Sequence, residues 1–149
     1  MSAHTTPVPL PPLWQAIPTK LTGAPGWVAW AYQWRKGKWT KAPRTAAGTF
    51  ASTTDPTTWA TFATVQAVVT AGRADGVGIV LTNDLVGIDL DHVRNPTGEL
   101  EPWAREIVQR FAACYIERSP GGDGLRIFCR GKAPRSGKGG PENRLEVYD

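Results

Sequence analysis

Hydrophobic and polar residues alternate along most of the chain in short runs, which predicts β-strands separated by turns. Three pairs of runs predict hairpins: 26–34 with 39–42, 76–81 with 85–90, and 114–119 with 125–130. A last alternating run over 144–149 predicts one more strand. Apolar residues at helical spacing predict two helices, which begin at Asp55-Pro56 and at Glu101-Pro102, because an acidic residue followed by proline is typical of a helix start.

This order of elements predicts an α+β fold, with a largely antiparallel sheet and two helices packed on one face. Residues 1–25 are rich in proline and predict an N-terminal arm, so we expect a single domain over 26–149. The first twenty residues lack the apolar core of a signal peptide, and nothing resembles a transmembrane span. We therefore expect a cytoplasmic protein without a membrane partner. The two cysteines form no C-x-x-C motif, so the sequence implies neither a zinc site nor a disulfide.

The strand predicted over 85–90 carries the most informative polar residues of the chain. Because side chains alternate along a strand, Asp89 and Asp91 share one face while Ile88 and Leu90 share the other. Two neighbouring carboxylates repel each other, and proteins usually keep such a pair to hold a divalent cation. The alternative interpretation is a strand that ends at the surface in two solvated acids.

Further polar residues recur on the same predicted sheet face. Arg126 and Glu146 occupy the later strands, and three carboxylates suit Mg²⁺ or Mn²⁺. The glycine-rich turn at 120–124 is similar to a phosphate cradle, with Arg126 as a cation for a triphosphate. For the glycine run alone we favour an ordinary hairpin loop, and Asp123 inside it also counts against an anion site.

Charge and aromatic residues add two weaker indications of a polyanionic partner. The chain has a net charge of +4 and a pI of about 9.3, and the loop over 130–138 contains Lys132, Arg135 and Lys138. The loop could contact a template backbone, although such loops are more often simply solvated. Trp30 and Trp34 could stack on bases, but we interpret aromatic residues at strand spacing as packing.

The motifs taken together resemble a known family. In chain order they are WVAWAYQWRKGKWTKAP, STTDPTTW, DGVGIVLTNDLVGIDLDHVR, EPWAREIVQRF, ERSPGGDGLRIF and RLEVYD. Their order and spacing resemble the N-terminal catalytic domain of phage and plasmid bifunctional DNA primase–polymerases, of the archaeo-eukaryotic primase superfamily. The resemblance extends from about residue 26 to residue 149.

The resemblance implies a DNA primase/polymerase-type nucleotidyltransferase with an RRM-like catalytic core. It implies metal-dependent, template-directed primer synthesis or extension in DNA replication. The expected partners are nucleoside triphosphates and a single-stranded DNA template, and a replicative helicase domain or protein is a further candidate. The catalytic and metal-binding residues, for Mg²⁺ or Mn²⁺, would be Asp89, Asp91 and Glu146. The nucleotide-binding residues would be Lys41, Ser119, Gly121, Gly122, Gly124 and Arg126.

Two departures from the family pattern leave alternatives open. Arg126 stands where the family commonly has histidine, and Gly121 where it often has a small hydroxyl residue. The chain also ends directly after the third acid, so we expect the domain to be incomplete at its C-terminus. One alternative is a replication-associated nucleic-acid-binding module whose catalytic face has decayed. Another is a haloacid-dehalogenase-like phosphatase, since residues 89–93 fit D-x-D-x-V, but that fold requires a parallel sheet.

Overall fold

The structure is a computed structural model of the 149-residue chain, and it describes residues 4–82, 84–133 and 136–149. The chain divides into two compact units, one ending at Val80 and one beginning at Leu81. The strands are β1 (Trp27–Arg35), β2 (Lys38–Arg44), β3 (Gly76–Ile79), β4 (Leu85–Leu90), β5 (Tyr115–Arg118), β6 (Leu125–Arg130), β7 (Gly137–Gly139) and β8 (Leu145–Tyr148). The α-helices are α1 (Thr19–Thr22), α2 (Phe62–Thr70) and α3 (Pro102–Arg110), and 3₁₀ turns lie at Trp14–Ala16, Pro56–Thr58 and Pro141–Asn143.

The first unit is built on a three-stranded antiparallel sheet in the order β2-β1-β3. Helix α2 packs on β1, where the Phe62 ring meets the Trp27 ring edge-on at 4.9 Å. On the same strand, Trp30 donates a hydrogen bond from Nε1 to the carbonyl of Val77 on the neighbouring strand β3 at 3.2 Å. Its ring occupies the space beside Gly76, where a Cβ atom would lie only 2.3 Å from the ring. Gly76 is therefore required for this packing.

The second unit is a five-stranded antiparallel sheet in the order β5-β6-β4-β8-β7. Its core consists of alternate residues of the central strands, including Ile88, Leu90 and Ile127, and of Ala104 from helix α3. The same alternation leaves polar residues on the opposite sheet face. The sequence of β4 thus positions its acidic residue by burying the apolar residues on either side of it.

The predicted fold class is confirmed, because the structure is α+β with antiparallel sheets and few helices. The predicted hairpin of 76–81 with 85–90 is wrong. Strand β3 pairs with β1, whereas β4 pairs with β6 and β8. The β1 pairing continues beyond β3, since the Val80 amide donates to the Gly26 carbonyl at 2.8 Å. A local turn signal could not reveal this competing long-range partner, and turn residue Asn83 lies outside the described residues.

The first predicted helix begins later than its sequence signal indicates. Asp55 accepts a hydrogen bond from the Thr57 amide, but it caps only the 3₁₀ turn at Pro56–Thr58. Ala60 then pairs with Trp27 through two backbone hydrogen bonds, which interrupts the helix. Thr61 is the cap of α2. The second predicted helix does begin at Pro102, after Glu101.

The two cysteines are joined in a disulfide between Cys114 and Cys129, which the sequence did not imply. They extend the β5–β6 ladder by one position beyond the Tyr115–Phe128 pair, so strand register brings them together. Within the described ranges, every helix is too short or too polar to cross a membrane. The domain boundary near residue 26 stays a prediction.

Candidate functional site

Five charged side chains lie in line across the sheet of the second unit. Strand register pairs Glu117 with Arg126, Arg126 with Asp89, Asp89 with Glu146, and Glu146 with Lys138. Residues directly opposite each other on neighbouring strands project from the same face. We call these five residues the charged row. It lies on the face opposite the apolar core and alternates in sign, except where Asp89 meets Glu146.

Two ion pairs form between neighbouring residues of the charged row. Arg126 Nε lies 3.1 Å from Asp89 Oδ1, and both side chains are about 30% exposed, at 29% and 31%. Lys138 Nζ lies 2.7 Å from Glu146 Oε1. The second oxygen of Glu146 accepts a hydrogen bond from the Tyr148 hydroxyl. Because the arginine pair is partly removed from water, solvent screens it less than a fully exposed pair.

Asp91 lies one residue past the end of β4 and is exposed. Its amide donates to the Arg144 carbonyl at 2.8 Å, which continues the pairing toward β8. Burial raises the pKa of the Tyr148 phenol, and the negative charges of Asp89 and Asp91 raise it further. The Tyr148 phenol is therefore hydrogen-bonded to Glu146 and feels the charge of the other two acids that the sequence singled out.

The chemistry of these donors fits a hard divalent cation, because carboxylate oxygens are the ligands that Mg²⁺ and Mn²⁺ prefer. Over residues 4–82, 84–133 and 136–149, however, no three histidine, cysteine or acidic side chains are grouped closely enough to hold a metal ion. Asp89 and Glu146 instead bind the cationic side chains of Arg126 and Lys138. A metal ion would have to compete with these two side chains, and the metal site stays a prediction.

The predicted glycine turn is closed by its own hydrogen bonds. The Ser119 amide donates to the Gly124 carbonyl at 2.9 Å, and the Gly124 amide donates to Ser119 Oγ at 3.1 Å. The Gly122 amide donates to the Ser119 carbonyl at 2.8 Å. Two of the amides expected to cradle a phosphate are therefore already used within the turn. The role of Gly121 and its neighbours in nucleotide binding stays a prediction.

The glycine turn lies beside the segment that follows β4. Asp123 accepts from the Val93 amide at 3.1 Å through its carbonyl, and its carboxylate lies 2.8 Å from His92 Nδ1. Both side chains of this second contact are mostly exposed, and it is an ion pair only when His92 is protonated. The contacts place the turn next to Asp91.

Lys41 lies in the other unit, on β2, and its Nζ lies 5.8 Å from the centre of the Trp30 ring. All other predicted site residues belong to the unit that begins at Leu81. A role for Lys41 in nucleotide binding therefore stays a prediction from the resemblance alone.

Sequence reasoning missed Glu117, which ends the charged row next to Arg126. Burial raises the pKa of Glu117, whereas the Tyr115 hydroxyl, which donates to it at 3.0 Å, and the charge of Arg126 act in the opposite direction. Counting outward from the turn at 120–124 would have paired Glu117 with Arg126. The alternation of side chains along β5 would therefore have placed Glu117 on the same sheet face as Arg126.

Comparison with known proteins supports the family resemblance. No protein-family model matches the chain. The chain is 37% identical over 124 residues to a protein of Nitratiruptor phage NrS-1 that is named "DNA Primase-polymerase". The similar region covers 78% of the chain and 17% of that relative, so the chain spans about a sixth of the relative's length. The chain is therefore a homologue of phage DNA primase–polymerases, which confirms the resemblance that its motifs indicated.

Proposed function

We propose that the chain carries the nucleotidyl-transfer centre of a DNA primase–polymerase, which makes or extends primers on a single-stranded DNA template. One observation carries the proposal: Asp89 and Glu146 face each other on adjacent strands, with Arg126 bonded to Asp89. This arrangement occurs in a chain that is 37% identical to a phage protein named for this activity.

In this proposal the three acids bind divalent cations. Asp89 and Glu146 would contribute from neighbouring strands, and Asp91 from the segment that follows β4. A bound Mg²⁺ or Mn²⁺ pair would activate the 3′-hydroxyl of the primer for attack on the α-phosphate of the incoming nucleotide and would stabilise the negative charge of the leaving pyrophosphate. The antiparallel sheet would keep Asp89 and Glu146 in place, because each lies on a strand that is paired on both sides.

Arg126 would exchange partners when a cation binds. Its guanidinium lies 3.1 Å from Asp89, so a cation at Asp89 would displace it. The displaced guanidinium would be available for the triphosphate of the incoming nucleotide, to which arginine can make two parallel hydrogen bonds. Arginine stays protonated near neutral pH, so we assign Arg126 to binding and not to proton transfer. The turn at 119–124 would close the pocket beside it.

A decayed nucleic-acid-binding module is the second candidate function. The observation that favours it is the pairing of Asp89 with Arg126 and of Glu146 with Lys138, which neutralises both carboxylates without a metal ion. The phosphatase alternative does not fit the structure, because β4 is antiparallel to both of its neighbours.

Primer extension on a single-stranded DNA template tests the proposal. The protein is supplied with nucleoside triphosphates and either Mg²⁺ or Mn²⁺, and a reaction with chelator is the control. Cation-dependent incorporation that follows the template sequence supports nucleotidyl transfer. Binding of the template without incorporation under any of these conditions supports the binding module.

A further inference from the structure

The two units differ in charge. Residues 1–80 contain seven lysines and arginines but only two acids, a net charge of +5, and the first acid in the chain is Asp55. Residues 81–149 contain ten lysines and arginines and eleven acids, a net charge of −1. The positive charge of the protein therefore belongs to the first unit. Such an asymmetry is typical of a surface that binds a polyanion.

The hairpin of β1 and β2 carries a continuous line of aromatic rings on one face. The Trp30 and Tyr32 ring centres lie 5.1 Å apart, those of Tyr32 and Trp39 lie 6.3 Å apart, and those of Trp39 and Trp34 lie 5.4 Å apart. All three contacts are edge-to-face. Each ring is thereby held in a fixed orientation by its neighbour. We call these four residues the aromatic ladder.

Burial decreases along the aromatic ladder toward the tip of the hairpin. Trp30 is only 6% exposed, whereas Trp34 is 38% exposed. Both tryptophans pack as predicted, Trp30 in the core and Trp34 in a cross-strand pair with Trp39, but Trp34 also leaves part of its ring exposed. An exposed tryptophan held by a second tryptophan is a rigid platform for another flat ring.

The N-terminal arm already places a flat ring on that platform. The His4 imidazole stacks on Trp34 with a centre-to-centre distance of 3.7 Å and an angle of 16° between the ring planes. This is a nearly parallel contact between a nitrogen heterocycle and an indole. A nucleobase stacking on the same indole would have the same geometry, so His4 shows that the position accepts such a ring.

The turn at the tip of the hairpin adds positive charge next to Trp34. Arg35, Lys36 and Lys38 are all exposed, and none of them forms a salt bridge with any residue that the structure describes. Lys36 and Gly37 both have positive φ angles, of 48° and 78°, as expected for a tight two-residue hairpin turn. The charge is therefore held within a few residues of Trp34.

We propose that the tip of the β1–β2 hairpin is a binding site for single-stranded nucleic acid. A base stacks on Trp34 in place of His4, and a neighbouring phosphate contacts Lys36 in the turn. Arg35 and Lys38 lie opposite each other on the other face of the hairpin, where they add to the positive charge of the tip. Only an unpaired base can reach a flat indole, which selects single strands over duplex. The site lies within the first unit and its binding requires no nucleotidyl transfer, so it stands or falls separately from the proposed active site.

Fluorescence anisotropy with a labelled single-stranded DNA oligomer, in the absence of nucleotides, tests the aromatic part of the site. Trp34→Ala should weaken binding about 5- to 150-fold, the range expected for one lost base–aromatic stack. Phe50→Ala is the matched control, because Phe50 is also exposed and aromatic, at 58%, but lies outside the aromatic ladder. This control should bind like the parent. His4→Ala should bind more tightly than the parent, because it removes the competing ring.

Lys36→Gly tests the charge without risk to the fold, because glycine favours the positive φ angle that Lys36 adopts. It should weaken binding and reduce the slope of log affinity against log salt by about 0.7, the value for one lost phosphate contact on a single strand. Lys20→Ala, on helix α1, should leave that slope unchanged.

The proposal is overturned if Trp34→Ala and Phe50→Ala bind the oligomer equally and Lys36→Gly keeps the salt slope of the parent. It is also overturned if unlabelled duplex competes as well as the single strand, since stacking would then contribute nothing. Competition by single-stranded RNA as well as DNA supports the site, because stacking on Trp34 does not depend on the sugar.

Discussion

The aromatic ladder of the first unit and the charged row of the second are both built by strand register, but they differ in whether the nearby cationic side chains are paired with acids. In both, register places side chains in line on one face of an antiparallel sheet. In the charged row, Arg126 and Lys138 are paired with acids, so a metal ion or a phosphate can enter only by exchange. At the hairpin tip, Lys36 and its neighbours form no salt bridge with the described residues. From this difference we propose that the hairpin binds single-stranded nucleic acid and that the charged row carries the chemistry.

The largest expected effect is a loss of primer extension without a loss of DNA binding, which distinguishes the charged row from the hairpin tip. Asp89→Asn should reduce primer extension at least about 100-fold, because a ligand of the proposed cations is lost. The same variant should bind single-stranded DNA like the parent, because Asp89 lies outside the first unit. Asp84→Asn is the control, since it neutralises an exposed acid at the start of the same strand segment. Equal activity of both variants would remove Asp89 from the mechanism.

Loss of Arg126 should affect nucleotide binding more than turnover. Arg126→Ala removes a charged hydrogen-bond donor, and we expect nucleotide affinity to fall by roughly 1.5–3 kcal/mol, or about 10- to 150-fold. The Michaelis constant for the nucleotide should rise by a similar factor. Arg130→Ala is the control on the same strand, because Arg130 is exposed and pairs only loosely with Asp84, at 3.6 Å. An unchanged Michaelis constant in Arg126→Ala would contradict the partner exchange.

Two glycines of the turn, Gly124 and Gly121, should differ in how much an alanine substitution destabilises the fold. A Cβ atom at Gly124 would lie 2.8 Å from the Leu90 carbonyl oxygen and 3.0 Å from Ser119 Oγ. At Gly121 the nearest atom would be 3.8 Å away. Gly124→Ala should therefore lower the free energy of unfolding by roughly 1–3 kcal/mol, whereas Gly121→Ala should change it by less than about 0.5 kcal/mol. Denaturant titration measures both, and equal stabilities would contradict the described packing of the turn.

The smallest expected effect concerns Glu117, at the half-buried end of the charged row. Because burial raises the pKa of Glu117, the folded protein holds this proton more tightly than the unfolded chain does. The favourable contribution is complete below the ordinary glutamate pKa and is lost as the pH rises through the folded value. Glu117→Gln stays neutral, so it should melt above the parent at pH 7.

The melting difference between Glu117→Gln and the parent should shrink as the pH falls through the raised pKa of folded Glu117, and it should be lost below about 4. Glu106→Gln, at an exposed position of α3, is the control and should show no such pH-dependent gain. A parent that is more stable than Glu117→Gln at pH 7 would mean that the bond from Tyr115 and the charge of Arg126 outweigh the cost of burial.

Local patterns in the sequence predicted much of this molecule. The alternation along 85–90 and 144–149 was sufficient to place Asp89 and Glu146 on polar faces, and the acid–proline pair marked the start of α3 correctly. These predictions succeeded because each depends on neighbours along the chain. The relative of Nitratiruptor phage NrS-1 supports the family that the same motifs indicated.

Long-range pairing could not be predicted in this way. The pairing of β3 with β1, and of Cys114 with Cys129, depends on partners that no local pattern reveals. The exposure of Trp34 in the aromatic ladder was also not predicted, because alternation along β1 does not show that burial ends before Trp34. Exposure is a property of the assembled sheet, and the difference between Trp30 and Trp34 appears only there.

A titration of template DNA in the primer-extension assay tests most directly whether binding and chemistry reside in different units. Rates are measured for the parent, Asp89→Asn and Trp34→Ala as the concentration of primed single-stranded template rises. We expect Trp34→Ala to need more template but to reach the parent rate at saturation, and Asp89→Asn to remain inactive at every concentration. An Asp89→Asn protein that reaches the parent rate, or a Trp34→Ala protein that needs no additional template, would contradict the account.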